Sequence, residues 1–195
     1  NRIGVDVPGM GPLVRKLRHL AVPVAVAFPN LFFMAVLAGE EPIDHIQKDI
    51  LRSGEEVHPI MRGVMAIHVA EEARHISFAH EFLKKHVPEA SARDKFVLSL
   101  AMPVIMWILG RAIVTPPKKF FEEFGIPDSV RKELFYGSDE AKQVFSDYFG
   151  DVRALAKEIG LMNPIAKRVW KALGIDGHTT RYRSEPMRAA ARRAA

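Results

Sequence analysis

Uncharged residues are concentrated in two runs of this chain. Residues 20–39 hold 20 positions without a charged side chain, about the length that a helix needs to cross a bilayer. Pro23 and Pro29 interrupt this run, and each removes a backbone donor that lipid could not replace. The pattern therefore favours a buried, kinked core helix over a membrane span. Residues 96–110, which include Pro103, form a shorter run and predict a second buried helix.

The clearest helical pattern lies between these two runs. Ser53 precedes Glu56 by three positions, the spacing of a capping box, and Pro59 stands where a first helical turn would be. Apolar residues then recur at helical period as far as Lys85, and Pro88 ends the pattern. We predict a helix of roughly 40 Å over this stretch.

The rest of the chain predicts shorter helices that end at glycine or proline. We expect helices over residues 118–124, 129–135, 139–159 and 164–173, and a helix from Pro42 to residue 51. No segment shows the sustained polar–apolar alternation of a strand. The predicted fold class is therefore all-α, with long central helices followed by smaller C-terminal ones.

Composition and charge exclude several classes of protein. The 195 residues include no cysteine, which excludes a disulfide scaffold, a thiolate zinc site and an iron–sulfur cluster. The net charge is +5, but residues 176–195 hold five arginines against two acidic residues, so we expect a basic, flexible tail and no nucleic-acid-binding face. The absence of a secretory signal pattern leads us to expect a cytoplasmic protein without a membrane anchor.

The segment His68 to His75 holds the residues that carry chemistry. His68, Glu72 and His75 are spaced i, i+4 and i+7, so they lie within roughly 60° of each other on a helix. The same face of this helix, a stripe along its length, also carries apolar residues: Met61, Val64, Met65, Ala79 and Phe82. Two imidazoles and a carboxylate facing a core are costly unless a partner compensates them. A divalent metal would compensate all three, so the stripe predicts a metal site rather than ordinary polar positions.

Neighbouring residues leave some alternatives open. Glu71 competes with Glu72, but Arg74 is placed to pair with Glu71 on the flank of the helix. Glu40 and Glu41 lie at the end of the first apolar run. Their spacing is equally consistent with a metal ligand and with a cap at the start of the next helix. Three further histidines are expected at the surface or around the site: His45, His58 and His80.

Residues 60–83, IMRGVMAIHVAEEARHISFAHEFL, resemble the last ligand helix of the AurF-type di-iron oxygenases, which include p-aminobenzoate N-oxygenase. The downstream segments FGIPDSV and EIGLMNPIAKRVWKALGI are also similar to that family. The resemblance implies a ferritin-like helical core, two iron ions (with manganese as an alternative), and O₂ as co-substrate. It also implies oxidation of a small organic substrate, with an aryl amine as the class that known members oxidise.

The resemblance assigns metal ligands residue by residue. His68, Glu72 and His75 match the family's final His, Glu and His, and Glu41 matches a carboxylate one helix earlier. The family's upstream Glu and Glu-x-x-His have no counterpart before Glu40. We therefore expect residues 1–175 to be the C-terminal portion of one ferritin-like di-iron domain. Missing N-terminal helices of a longer native polypeptide, or a partner chain, would complete the site.

These inferences predict a non-haem di-iron oxygenase that takes a small-molecule substrate, an external electron donor and O₂, and that forms a homodimer. Two alternatives stay open. One is a ferritin-like metal-binding protein without turnover. The other is a membrane-associated di-iron oxidase anchored by residues 20–39.

Overall fold

The computed structural model describes residues 12–54 and 56–177, and within these residues it is all-α, which confirms the predicted fold class. The predicted basic tail lies outside the described residues from position 178 onwards. The helices are α1 (Pro12–Leu17), a 3₁₀ turn (Arg18–Leu20), α2 (Ala21–Ala27), α3 (Pro29–Arg52), α4 (Pro59–His86), α5 (Ala92–Val114), α6 (Lys118–Glu123), α7 (Asp128–Lys132), a π turn (Glu133–Gly137), α8 (Asp139–Asp147), α9 (Gly150–Glu158) and α10 (Pro164–Ala172).

Helices α3 and α4 pack antiparallel and meet in layers seven residues apart. The layers pair Phe33 with Phe82 (ring centroids 4.3 Å apart), Glu40 with His75 (3.3 Å) and Gln47 with His68 (3.1 Å). Residue numbers fall on α4 as they rise on α3, which fixes the antiparallel direction. Seven residues are nearly two helical turns, so positions at this spacing return to the same face of each helix. One seam between two helices therefore carries an aromatic layer followed by two polar layers.

The core lies where α3 packs against α4 and α5 and where the C-terminal helices meet α4 and α5. Its largest side chains are fully buried: Met34, Leu37, Leu83, Met102, Met106, Phe149 and Trp170. Gly110 of α5 allows the close approach of Phe149, because a Cβ at Gly110 would lie 2.5 Å from the Phe149 ring. The C-terminal helices thus pack against α4 and α5 and extend the core.

Several helix boundaries differ from those predicted. The helix α4 begins at Pro59, not at a capping box of Ser53 and Glu56, because His58 is its N-cap and accepts a hydrogen bond from the Ile60 amide at 3.3 Å. Ser53 instead closes α3, donating to the Ile50 carbonyl at 2.9 Å. The position of Pro59 in the first turn and the end of α4 near Pro88 are confirmed.

Two predicted helices are also divided differently. Pro42 does not start a helix, since α3 continues through it and the break falls at Phe28, whose backbone lies outside the helical region. The predicted helix 139–159 is two helices, α8 and α9, with Phe149 at the junction and its ring packed over Gly110. Gly125, Gly160 and Gly174 follow helices with positive φ, as the predicted terminators require.

The apolar runs are less buried than predicted. In the first run, residues 34–39 belong to the core or its border, but Val22, Val26 and Phe28 are more than half exposed. On α4, Met61 and Val64 are about half exposed. The apolar stripes therefore extend beyond the core that the described residues form.

Helix α5 is longer than the uncharged run that predicted it. By length and composition alone, the helical stretch Ala92–Glu123 could cross a membrane, and only a third of its most apolar window is buried within the described residues. The segments Arg18–Ala27 and Pro29–Arg52 satisfy the same criterion together but bend by 120° at their junction. Core helices of soluble proteins also meet this criterion, but they are mostly buried.

Candidate metal centre

His68, Glu72 and His75 lie on the face of α4 that meets α3. The helical spacing brings His68 Nε2 to 3.1 Å from Glu72 Oε1. Glu72 is 7% exposed, and Ala79 and Leu83 are the other buried residues of α4. The predicted inward position of Glu72 is confirmed, and its carboxylate stands at the centre of the stripe.

Glu40 of α3 completes this cluster. His75 Nδ1 lies 3.3 Å from Glu40 Oε1, and one ligand atom from each of Glu40, Glu72 and His75 lies within 4.8 Å of the other two. We refer to Glu40, His68, Glu72 and His75 as the α3–α4 centre. It offers two carboxylates and two imidazoles, the donors that first-row divalent metals bind.

The two carboxylates of the α3–α4 centre repel each other. Burial is the main cause that raises the pKa of Glu40 to about 7, and the neighbouring Glu72 carboxylate raises it further, while His75 opposes the shift. Without a metal, Glu40 thus holds a proton at slightly acidic pH. A cation between the two groups would remove the repulsion and displace that proton.

Gln47 fixes the orientation of His68. The Gln47 side-chain oxygen accepts a hydrogen bond from His68 Nδ1 at 3.1 Å. A neutral His68 ring then presents the lone pair of Nε2 to the Glu72 carboxylate, an arrangement that is favourable only with a proton or a cation between them. Ligating histidines commonly donate their other ring N–H to a carbonyl or carboxylate in this way.

Glu71 takes no part in the α3–α4 centre. Its carboxylate faces solvent and accepts a hydrogen bond from Arg74 at 3.3 Å, so the predicted flank pairing is confirmed.

Glu41 lies apart from the residues with which the resemblance groups it. It is 3% exposed and accepts a hydrogen bond from His80 Nε2 at 3.1 Å. Its nearest potential metal-ligating group consists of His45 and Asp151 rather than Glu72 and His75. The structure thus brings three of the four predicted ligands together with Glu40, whereas Glu41 lies in a neighbouring group.

The spacing of residues on α3 and α4 also contains a signal that favours Glu40. A spacing of seven residues relates three positions on α3, namely Phe33, Glu40 and Gln47. The same spacing relates three positions on α4, namely His68, His75 and Phe82. If the two helices pair antiparallel, Glu40 comes opposite His75. Of the other histidines, His58 is exposed at the start of α4, His80 binds Glu41, and His45 is buried.

The α3–α4 centre is open on one side. The side chains of His68 and His75 are 43% and 57% exposed, whereas that of Glu72 is 9% exposed. Phe33, Phe78 and Phe82 form an aromatic cluster at one end of the seam, with centroid distances of 4.3 to 6.4 Å. The arrangement can hold a metal against α3 and α4 while leaving its outer side free for further ligands.

The chain is similar in sequence to known proteins over most of its length. The sequence model of the AurF family, described as p-aminobenzoate N-oxygenase AurF, matches residues 1–160. The chain is 55% identical over 188 residues to uncharacterized proteins of Mycobacterium bovis and of two strains of Mycobacterium tuberculosis. Those alignments cover 96% of this chain and 55% of each relative, so the chain spans about half the length of the curated relatives it matches. No solved structure matches it. On the match over residues 1–160, the chain belongs to the AurF family of di-iron enzymes.

Proposed function

We propose that the protein is a non-haem di-iron oxygenase that uses O₂ to oxidise a small organic substrate, with aryl amines as the substrate class. The observation that carries the proposal is the α3–α4 centre, in which the buried Glu72 lies among Glu40, His68 and His75. Family membership supports the same chemistry.

The side chains of the α3–α4 centre fit a metal ion. Glu40 Oε2 and Glu72 Oε2 are buried and make no hydrogen bond, although a buried carboxylate oxygen normally has a partner. The lone pair of His68 Nε2 faces the same region when Nδ1 donates to Gln47. A divalent cation would satisfy these groups together, whereas neither arginine nor lysine contacts either buried oxygen in the described residues.

Each residue has a distinct role in this proposal. Glu72 and Glu40 would hold metal through carboxylate oxygens, and His68 and His75 would bind it through ring nitrogens. Irons held by these residues would supply the redox chemistry for O₂ activation. Gln47 keeps the His68 ring in one orientation and tautomer. Phe33 and Phe82 exclude water from one end of the seam, which strengthens electrostatic interactions within it.

Two irons require more ligands than the α3–α4 centre provides. Di-iron carboxylate bundles use a carboxylate from each of two helices and a Glu-x-x-His from each of two others. We propose that the additional length seen in the relatives, or a partner chain, brings a further Glu and Glu-x-x-His to the open side of His68 and His75. The half-exposed Met61 and Val64 on the same helix offer that segment an apolar face. Two copies of the complete protein would form the proposed homodimer.

Turnover with an aryl amine tests the proposed function. The full-length protein, loaded with Fe²⁺ and supplied with O₂, a chemical reductant and p-aminobenzoate or aniline, should form the hydroxylamine, which mass spectrometry detects. Glu71→Gln should retain this activity and Glu72→Gln should lose it. Oxidation of the iron without oxidation of any amine tested would instead favour a metal-binding protein without turnover.

We further propose a cytoplasmic protein in which the exposed side of α5 is covered by protein. The competing membrane-associated oxidase is favoured by the length and apolar character of α5. One face of α5, which carries Met102, Pro103 and Met106, is buried in the core, so protein already covers that side of the helix. Recovery of the full-length protein only in the membrane fraction would overturn the cytoplasmic proposal.

A further inference from the structure

A cavity of about 330 Å³ lies beside Arg111, near the C-terminal end of α5. We call it the Arg111 cavity. The π turn contributes Leu134 and Phe135 to its walls, and α8 contributes Val144 and Phe145. Clefts that bind small molecules have volumes from about 300 Å³ upward and largely apolar walls with a few polar groups. The Arg111 cavity has this size and this kind of wall.

Arg111 carries a positive charge that no carboxylate balances. Within the described residues its guanidinium donates a hydrogen bond to the Phe135 backbone carbonyl and makes no salt bridge. Burial lowers the pKa of Arg111, and Tyr136, rather than a carboxylate, is the group that opposes this shift. An arginine stays protonated in proteins, so the cavity wall holds a cation without a counter-ion.

Two aromatic rings hold the Arg111 guanidinium. Its central carbon, Cζ, lies 3.8 Å from the ring centroid of Phe145 and 5.0 Å from that of Tyr136. Stacking on a ring leaves the N–H groups at the edge of a guanidinium available to a planar anion. Arg111 Nε is buried and makes no hydrogen bond, although buried donors normally have a partner. The described residues thus leave part of the hydrogen-bonding capacity of Arg111 unused.

Arg131 provides a contrast at the same aromatic ring. Its guanidinium lies 5.8 Å from the Tyr136 centroid, but it also contacts the Asp128 carboxylate at 2.7 Å. Tyr136 therefore stands between an arginine that has a carboxylate partner and Arg111, which has none. The difference identifies Arg111 as the arginine available to a bound anion.

The charges around the cavity favour an anion with a single negative charge. Glu133 and Glu140 also border the cavity, and both are exposed. Their charges are screened by water, but they oppose an anion that carries two charges. Tyr148 adds no negative charge, because burial and, to a lesser extent, Asp49 raise its pKa to about 12. One guanidinium and one carboxylate match in charge and in fork geometry.

We propose that the Arg111 cavity binds a small organic monocarboxylate. Its carboxylate would lie against the Arg111 guanidinium, and its hydrocarbon part would cover Leu134 and Val144, which are 59% and 45% exposed. The proposal does not rest on the oxygenase activity, because no residue of the α3–α4 centre borders this cavity.

Isothermal titration calorimetry of the full-length protein with phenylacetate tests the Arg111 cavity. Phenylacetamide, a neutral molecule of nearly the same shape, should bind about tenfold more weakly than phenylacetate, or less. Arg111→Gln should weaken phenylacetate binding by about tenfold or more, because it removes the charge. Arg131→Gln is the matched control, since it removes an arginine beside the same Tyr136 ring that already has a carboxylate partner, and it should leave the affinity unchanged.

A second variant, Val144→Trp, blocks the cavity without changing Arg111. Val144 is 45% exposed, so the larger side chain can be accommodated without disturbing the core. This variant should also weaken phenylacetate binding by about tenfold or more while circular dichroism shows an unchanged fold. It gives the decisive result if Arg111→Gln disturbs folding, because Arg111 also ties α5 to the π turn through the Phe135 carbonyl.

Four outcomes would overturn the monocarboxylate site. They are an absence of phenylacetate binding by the wild-type protein at millimolar concentration, equal affinity for phenylacetamide, tighter binding of inorganic phosphate than of phenylacetate, and unchanged phenylacetate affinity in Val144→Trp. Phenylacetate bound to a metal ion at the α3–α4 centre would give the last of these outcomes, so the experiment distinguishes the two places of binding.

Discussion

His75 Nδ1 on α4 lies 3.3 Å from Glu40 Oε1 on α3, whereas the adjacent Glu41 accepts a hydrogen bond from His80. This single pairing decides which of two consecutive carboxylates faces Glu72. It follows from the antiparallel seam, in which residues seven apart on α3 meet residues seven apart on α4.

The Glu40–His75 pairing predicts different effects of two neighbouring substitutions. Glu40→Gln should weaken metal binding at the α3–α4 centre at least tenfold, because it removes a carboxylate ligand. Glu41→Gln should leave that binding within about twofold. Fe²⁺ titration of the full-length variants measures both, and a loss confined to Glu41→Gln would favour the assignment that the family resemblance gives.

Gln47 is predicted to act as a positioning residue for His68. Gln47→Ala should lower metal affinity of the α3–α4 centre by roughly 10–100-fold, the usual effect of removing a partner behind a ligating histidine. Gln47→Glu should restore it, since a carboxylate also accepts from Nδ1. Gln143→Ala, which removes a glutamine contact on the surface of α8, is the control. Equal affinity of Gln47→Ala and wild type would exclude this role.

The metal-free protein should become less stable as the pH rises from 5 to 8. The pKa of Glu40 is raised to about 7 by burial and by Glu72, so the folded state holds a proton that the unfolded state releases near pH 4.5. The stability from this protonation is complete below the unfolded pKa and is lost as the pH passes through 7.

Urea unfolding of the full-length protein with a chelator, at several pH values, checks this pH dependence. Glu40→Gln should show a flatter dependence over the same range, because its side chain does not titrate. An identical slope in wild type and Glu40→Gln would show that other groups cause the effect.

Gly110 is predicted to set the distance between α5 and the start of α9. Gly110→Ala should destabilise the fold by about 1–3 kcal/mol, because the added methyl group would meet the Phe149 ring at 2.5 Å. Phe149→Leu shortens the opposing side chain, so the double variant should lose less stability than the sum of the single variants. Simple additivity in urea unfolding would contradict this contact.

The sequence predicts the positions of the helices better than it predicts how they pack and which of their residues are buried. Helical period, Pro59 and the terminal glycines located most of the elements, because these signals act within a few residues. The choice of Glu40 over Glu41 could not be made locally, since it depends on how α3 is rotated against α4. The exposure of Val22, Val26 and Met61 could not be predicted either. An apolar stripe indicates that a helix packs against another apolar surface, but it does not indicate which segment provides that surface.

Glu72 is buried and the adjacent Glu71 is exposed, so substitutions at these two positions test most directly whether the α3–α4 centre binds iron. The decisive measurement is the iron content per chain of the natural full-length protein and of its Glu72→Gln and Glu71→Gln variants. We expect Glu72→Gln to lose the two irons of the proposed centre and Glu71→Gln to retain the wild-type content. Full iron loading of Glu72→Gln, or loss of iron from Glu71→Gln alone, would contradict the account of the α3–α4 centre.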